Sequence, residues 1–275
     1  MEFEIPADPE LALRLGVFAA LFAALALWEA AAPARAPRLS RLARWRANLG
    51  LAIVNGLVVR VLLPGSALAF AALAAQEGWG LLNRIEVPAW VALAAGVVIL
   101  DFVIYLQHVL FHAVPALARL HAVHHADPDF DLTTGIRFHP VEILLSTLIK
   151  LAAIAAIGAP VLAVLVFEVL LNATAMFNHA NVSLPAWLEP WVRRILVTPD
   201  MHRTHHSVIE SERNSNYGFC LSVWDRWLGT YTAAPRGTLD IGLPSWRDPG
   251  AVATLGGVLR MPFRSPPHEV PVHTQ

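Results

Sequence analysis

The chain has 275 residues, 56% hydrophobic and only 15% charged, with a mean hydropathy of +0.53 and a formal net charge of −1. Soluble domains carry about a quarter of their residues as charges, so this is the composition of a membrane protein, and near-neutrality gives no field that would gather nucleic acid. Cys220 is the only cysteine, which excludes an intrachain disulfide and any cluster held by several thiolates.

A helical span needs about 20 apolar residues. Leu11 to Ala32 supplies the first, preceded by Glu2, Glu4, Asp8 and Glu10 rather than by the cationic start of a signal peptide. Ala47 to Ala75 contains Arg60, Pro64 and Gly65, and predicts either a kinked span or a span followed by an interfacial helix. Pro88 to Ala113 predicts a third span, with Asp101, Tyr105, His108 and His112 towards its end. After a polar stretch, Val141 to Ile157 and Pro160 to Phe177 predict a helical hairpin closed at Gly158-Ala159-Pro160. Lys150 and Glu168 lie nine residues either side of Ala159, so both sit about 13 Å from the turn. They are expected to pair across the hairpin; the competing arrangement sends Lys150 to the interface and Glu168 to another partner such as Arg60.

Beyond Asn178 the chain is polar and aromatic. Trp187 and Trp191 predict an interfacial helix after Pro185, Asn216 to Gly218 a turn, and Trp224, Asp225 and Trp227 a short amphipathic helix. Arg203 is read either as a contact for a headgroup or reductase or as a solvated side chain. The Pro-rich tail from Met261 is expected to be poorly ordered. The link between the first two spans holds Arg35, Arg38, Arg41, Arg44 and Arg46, whereas the next link holds Arg84 beside two glutamates. By the positive-inside rule the arginine-rich link is cytoplasmic. Counting crossings from there places the amino terminus outside, the carboxyl terminus inside, and every histidine cluster on the cytoplasmic side.

Ten of the twelve histidines fall between His108 and His206. His108 and His112, four apart in a helix, share one face with Tyr105 and Asp101, and Asp101 is suited to orient a ligand from behind. His121, His124 and His125 form H-x-x-H-H, and His202, His205 and His206 repeat it 81 residues later. His139 and His179 flank the hairpin at the same membrane face. Imidazole suits zinc, copper, iron and nickel, and one zinc takes three or four ligands, so the set predicts two metals. No H-E-x-x-H is present, which disfavours a zinc protease. Two rival classes are a membrane b-type cytochrome, with paired histidines at mid-membrane depth, and a non-catalytic metal carrier or sensor.

The segments from Asp101 to His112, H-A-V-H-H, R-F-H-P-V-E (Arg137 to Glu142), N-H-A-N (Asn178 to Asn181), T-P-D-M-H-R-T-H-H and the run from Asn216 to Tyr231 resemble the fatty acid hydroxylase / sterol desaturase superfamily. The resemblance implies an all-α, polytopic membrane helical bundle with a cytoplasmic histidine-rich metal-binding cap. It divides the chain into an N-terminal transmembrane region (1–96), a di-iron catalytic domain (97–231) and a C-terminal tail (232–275). It implies two iron ions, with zinc as a substitute in purified material, held by His108, His112, His121, His124, His125, His179, His202, His205 and His206. His139 stands as a tenth ligand, because Ala175 and Ser183 occupy the positions where the fatty acid 2-hydroxylase branch carries a second histidine. The implied reaction uses dioxygen to hydroxylate or desaturate a C–H bond of a lipid (fatty acyl, alkylglycerol or sterol-like) that enters from the membrane. The chain shows no haem-binding domain and no G-x-G-x-x-G, so electrons are expected from an external reductase, ferredoxin or cytochrome.

Overall fold

The first apolar run forms α1 (Pro9–Ala31), and the second is broken into α2 (Arg41–Leu62) and α3 (Ala67–Gln76). These are followed by α4 (Ala89–Ala113), α5 (Pro115–His125), α6 (Pro140–Ile157) and α7 (Val161–His179). The computed structural model describes residues 9–265, and among them there is no strand, only the isolated bridges Leu196–Leu221 and Ser207–Ile241. Among the described residues, five segments are long and apolar enough to cross a membrane: α1, α2 with α3, α4, α6 and α7. The chain is an all-helical, integral membrane protein.

The break between α2 and α3 lies at Pro64 and Gly65, and Ser66 restarts the helix by accepting a hydrogen bond from the Ala69 N–H at 3.1 Å. Of the two arrangements open for this segment, the kinked span is the one observed. Leu68 and Ala71 of α3 are buried against Leu100, Ile154 and Phe167, so α3 belongs to the bundle and not to the interface.

The bundle has two distinct ends. At one, Gly158 caps α6 in the left-handed region (φ +72°) and Gly80 (φ +85°) lies directly upon it. A Cβ on Gly80 would stand 2.1 Å from the Gly158 nitrogen, so only glycine permits this approach. Nine residues either side of the turn, Lys150 pairs with Glu168 as its spacing suggests. The second Glu168 oxygen lies 2.7 Å from Arg14 of α1, so the expected pair is part of a three-residue ionic group, and Arg60 is not Glu168's partner.

At the other end sits the cap. Pro115 occupies the first turn of α5, where its missing N–H costs nothing, and starts that helix immediately after α4. Seven charged residues fasten the spans to the cap. Arg44 of α2, almost fully buried, donates to both Asp127 oxygens at 2.7 Å and to Asp131 at 2.6 Å. Glu29 of α1 accepts from the backbone N–H groups of Leu132 (2.7 Å) and Asn181 (2.8 Å), and Arg41 pairs with its other oxygen at 3.0 Å. Arg38 pairs with Asp240 at 2.6 Å. The arginine-rich link and all the histidine-bearing helix ends therefore share one end of the bundle.

The segment after Tyr231 is more than a tail. Helices α12 (Pro249–Val252) and α13 (Leu255–Arg260) bury Val252 and Val258 with Leu51, Val123 and Trp246. Met261, expected in a poorly ordered stretch, is 2% exposed in that same core, because the Met261–Phe263 turn packs on α5. Residues 266–275 of the expected tail lie outside the described residues. The remaining short helices are α8 (Glu189–Val192), α9 (Pro199–His205), α10 (Glu210–Arg213) and α11 (Val223–Trp227). Trp187, Trp191 and Trp227 are exposed, as an interfacial position requires.

Candidate metal centre

Helices α4 and α5, joined at Val114-Pro115, face each other with five histidines between them, and α9 lays three more across the opening. Thr198 caps α9 through the Met201 N–H at 3.3 Å, which sets its two turns with His202, His205 and His206 turned inward. The last residue of α7, His179, closes the array.

Nine histidines gather into two groups. His108, His112, His121, His125 and His205 form one; His124, His179, His202 and His206 form the other. Within each group one ligand atom per residue lies within 4.8 Å of every other. His112 alone is partly exposed. His139 joins neither group. It caps α6, its Nδ1 accepting from the Val141 N–H at 3.2 Å and its Nε2 donating to the Leu259 carbonyl at 3.3 Å, so both nitrogens are used by the fold.

The hydrogen-bond pattern decides which nitrogen faces inward. A backbone carbonyl can only accept, so a ring nitrogen bonded to one carries the hydrogen. His124 donates from Nδ1 to the Arg137 carbonyl (3.3 Å) and His179 from Nδ1 to that of Ala175 (2.7 Å). Their Nε2 atoms, both left with lone pairs, nevertheless stand 3.1 Å apart. In the other group His108 donates to the Tyr217 carbonyl (2.8 Å) and His121 to the Glu142 carboxylate (2.6 Å), again with their Nε2 atoms 3.1 Å apart. His205 donates to the Ser215 carbonyl at 2.6 Å, and its Nε2 is buried with no protein partner. Two lone pairs at that separation repel unless a cation lies between them. Protonation does not relieve the pair at His124, because burial and then the neighbouring imidazoles hold His124, His202 and His206 well below the ordinary histidine pKa. The donor set fits metal ions.

Asp101 and Tyr105 both bond a neighbouring loop. Asp101 accepts from the backbone N–H groups of Cys220 and Leu221 (both 3.2 Å) and from the Trp224 indole (2.8 Å). Tyr105 bonds Thr230 at 2.9 Å. Both fasten the 216–230 loop, whose Tyr217 carbonyl orients His108. In that loop Asn216 takes a positive φ of 54° and is held by Met201 and Thr232. Asp225 accepts from the N–H groups of Tyr217 and Gly218, with burial pushing its pKa up to about 6.

Glu142 and Gly135 escaped the sequence reading. Glu142 ends the R-F-H-P-V-E segment, and a carboxylate at the start of an apolar helix was the available signal. Gly135 carried no signal: a Cβ there would lie 2.5 Å from the Ala175 carbonyl oxygen, the acceptor that orients His179. Arg203 is neither solvated nor open to a partner; it is buried, bonded to Asp200 and to the Val182 carbonyl at 2.6 Å.

Two cavities reach the five-histidine group. One, of about 240 Å³, lies among α2, α4, α6 and α7, walled by Ile104, Phe111, Ile143, Leu171 and Phe219, and ends at His108 and His121. The other opens on the cap side at His112 and His125, beside Glu210, Arg213 and Asn214. The four-histidine group is fully enclosed.

A family model for fatty acid hydroxylase matches residues 93–230, which span both histidine groups. The chain belongs to the fatty acid hydroxylase family. Among curated relatives, this family member is 32% identical over 161 residues to the ornithine lipid hydroxylase OlsE of Rhizobium tropici, covering 58% of this chain and 48% of that protein. It is 28% identical over 138 residues to the human alkylglycerol monooxygenase, covering 48% of this chain and 29% of that protein. It is 30% identical over 161 residues to the rat cholesterol 25-hydroxylase, covering 56% and 52%. The matched region thus spans about half or less of each of these relatives. No solved structure matches the chain.

Proposed function

We propose that this fatty acid hydroxylase family member is a membrane di-iron oxygenase that hydroxylates a lipid, using dioxygen and electrons from an external donor. The observation that carries the reading is the pair of facing imidazole groups set at the inner end of an apolar cavity among the spans. The three relatives named above are a lipid hydroxylase, a lipid monooxygenase and a sterol hydroxylase, which favours hydroxylation over desaturation.

His108, His112, His121, His125 and His205 would hold one metal, and His124, His179, His202 and His206 the other; His139 is left out of the set. Five imidazoles in one group exceed the four a tetrahedral zinc accepts, which favours iron. Two iron ions would supply the activation of dioxygen that C–H hydroxylation requires. The protein's own part is placement and exclusion. Apolar side chains of α4, α6 and α7 bring the lipid to the His108 and His121 side and keep bulk water from it. Glu142 and the Tyr217 and Ser215 carbonyls fix three ring orientations in the same group. A haem iron between two axial imidazoles would leave seven of these nine histidines without a role, and a metal carrier has no use for the lipid-facing cavity.

The test is iron content of the purified chain together with lipid mass spectrometry of cells producing it. Two irons per chain and a lipid gaining one oxygen are expected, both lost in His124→Ala and His205→Ala proteins that remain in the membrane. One metal per chain, or unchanged lipids in cells with a fully loaded and reducible protein, overturns the reading.

A further inference from the structure

The cavity among the spans is apolar in its walls but not in its hydrogen-bonding demands. Asn55 of α2 is buried, and its Nδ2 donates to the Phe138 carbonyl at 2.9 Å. Only an NH2 group can face that carbonyl, so the amide orientation is fixed and Oδ1 is turned away with no partner. Glu142 of α6 gives one carboxylate oxygen to His121, and its other oxygen is likewise buried and unpartnered. Gln107 of α4 donates through Nε2 to Ser146 at 3.0 Å, leaving its Oε1 in the same condition. All three residues line the one cavity that ends at His108 and His121. Unmet buried acceptors are costly, and the three residues that carry them come from three helices around the same chamber.

We infer that the chamber selects a lipid bearing a hydrogen-bond donor, a hydroxyl or an amide N–H, held among Asn55, Gln107 and Glu142 beside the five-histidine group. This rests on the reading of the cavity as the substrate chamber. A site built from acceptors rejects an analogue that cannot donate, because binding it strands those acceptors. A lipid whose nearby polar group only accepts, such as an ether or an ester, is therefore excluded by the same atoms that admit its alcohol.

The experiment measures binding without turnover, so it stands apart from whether the protein hydroxylates anything. Purified protein in detergent, without dioxygen or reductant, is titrated with radiolabelled hexadecan-1-ol and with 1-methoxyhexadecane, which share a tail and differ in the donor. The alcohol is expected to bind about tenfold or more tighter, and the preference should shrink toward unity in Asn55→Leu and Gln107→Met proteins. Equal binding of the two probes by the wild-type chain overturns the inference, as does a preference that survives both substitutions. If either variant fails to fold, the wild-type comparison alone still decides the first outcome.

Discussion

Glu142 makes a single hydrogen bond to the site, yet it sets the electronic character of His121. A carboxylate on the outer nitrogen makes the inner one a stronger donor to a metal, and such partners are worth about 10–100-fold in metal affinity. Glu142→Gln keeps a hydrogen-bond acceptor for His121 Nδ1 and removes the charge, so metal should be lost to a competing chelator about tenfold or more readily; unchanged retention would argue against a role for the carboxylate. The buried imidazoles also give a pH dependence whose sign can be worked out. Burial lowers the folded-state pKa of His124, His125, His202, His205 and His206, so as pH falls through about 6.5 the unfolded chain takes up protons that the folded cap refuses. Stability of the metal-stripped protein should therefore be fully present above that pH and decline steeply below it. Hydrogen exchange of the cap amides between pH 7 and 5 measures this, and flat protection across the range would contradict it.

Among the helices, two contacts are open to a sharp test. Gly135→Ala cannot be accommodated without moving the 134–136 turn away from α7, since the new methyl would meet the Ala175 carbonyl. The expected result is a membrane-inserted protein that has lost metal from the four-histidine group, seen as a fall in bound metal with normal membrane fractionation. Glu168 stands between Lys150 and Arg14, so Glu168→Ala strands Lys150 and should cost about 3 kcal/mol, in the range for breaking a buried pair. Lys150→Ala should cost less, because Arg14 still faces Glu168, and the double variant less than the sum; additive losses in unfolding measurements would show that the pair is not coupled. How far these elements were legible in the sequence follows from the physics of each. The spans and the hairpin turn rest on local composition and could be read directly, whereas for the Pro64 break and the Lys150–Glu168 pair local composition and helical rise left two arrangements each, which only the packing of α3 and α1 decides. Histidine spacing located nine residues that the fold gathers into the two groups, but it could not separate His139, whose Nδ1 caps α6 locally and whose Nε2 is taken up by the distant Leu259 carbonyl. The packing of 249–263 on α2 and α5 was illegible for a related reason: short helices of four to six residues carry too little periodicity to announce a buried face.

At the scale of the molecule, the arginine-rich link does two things at once. Its charge favours the cytoplasmic side, and Arg38, Arg41 and Arg44 are bonded to acidic residues of the cap and of α1. A reporter fused after Tyr231 should accordingly behave as cytoplasmic and one placed near Gly80 as external, and swapped results would reverse the proposed orientation. The acidic run Asp127, Asp129 and Asp131 carries the charge complementary to those arginines, but pairing across 83 residues leaves no local motif to read in the sequence. The unequal enclosure of the two histidine groups carries a kinetic corollary. One borders two cavities and includes the partly exposed His112, whereas the other is sealed by protein on every side. If each group holds the ion proposed for it, exchange with solution should be sequential: a chelator removes one equivalent rapidly, and the second departs only as fast as the cap opens.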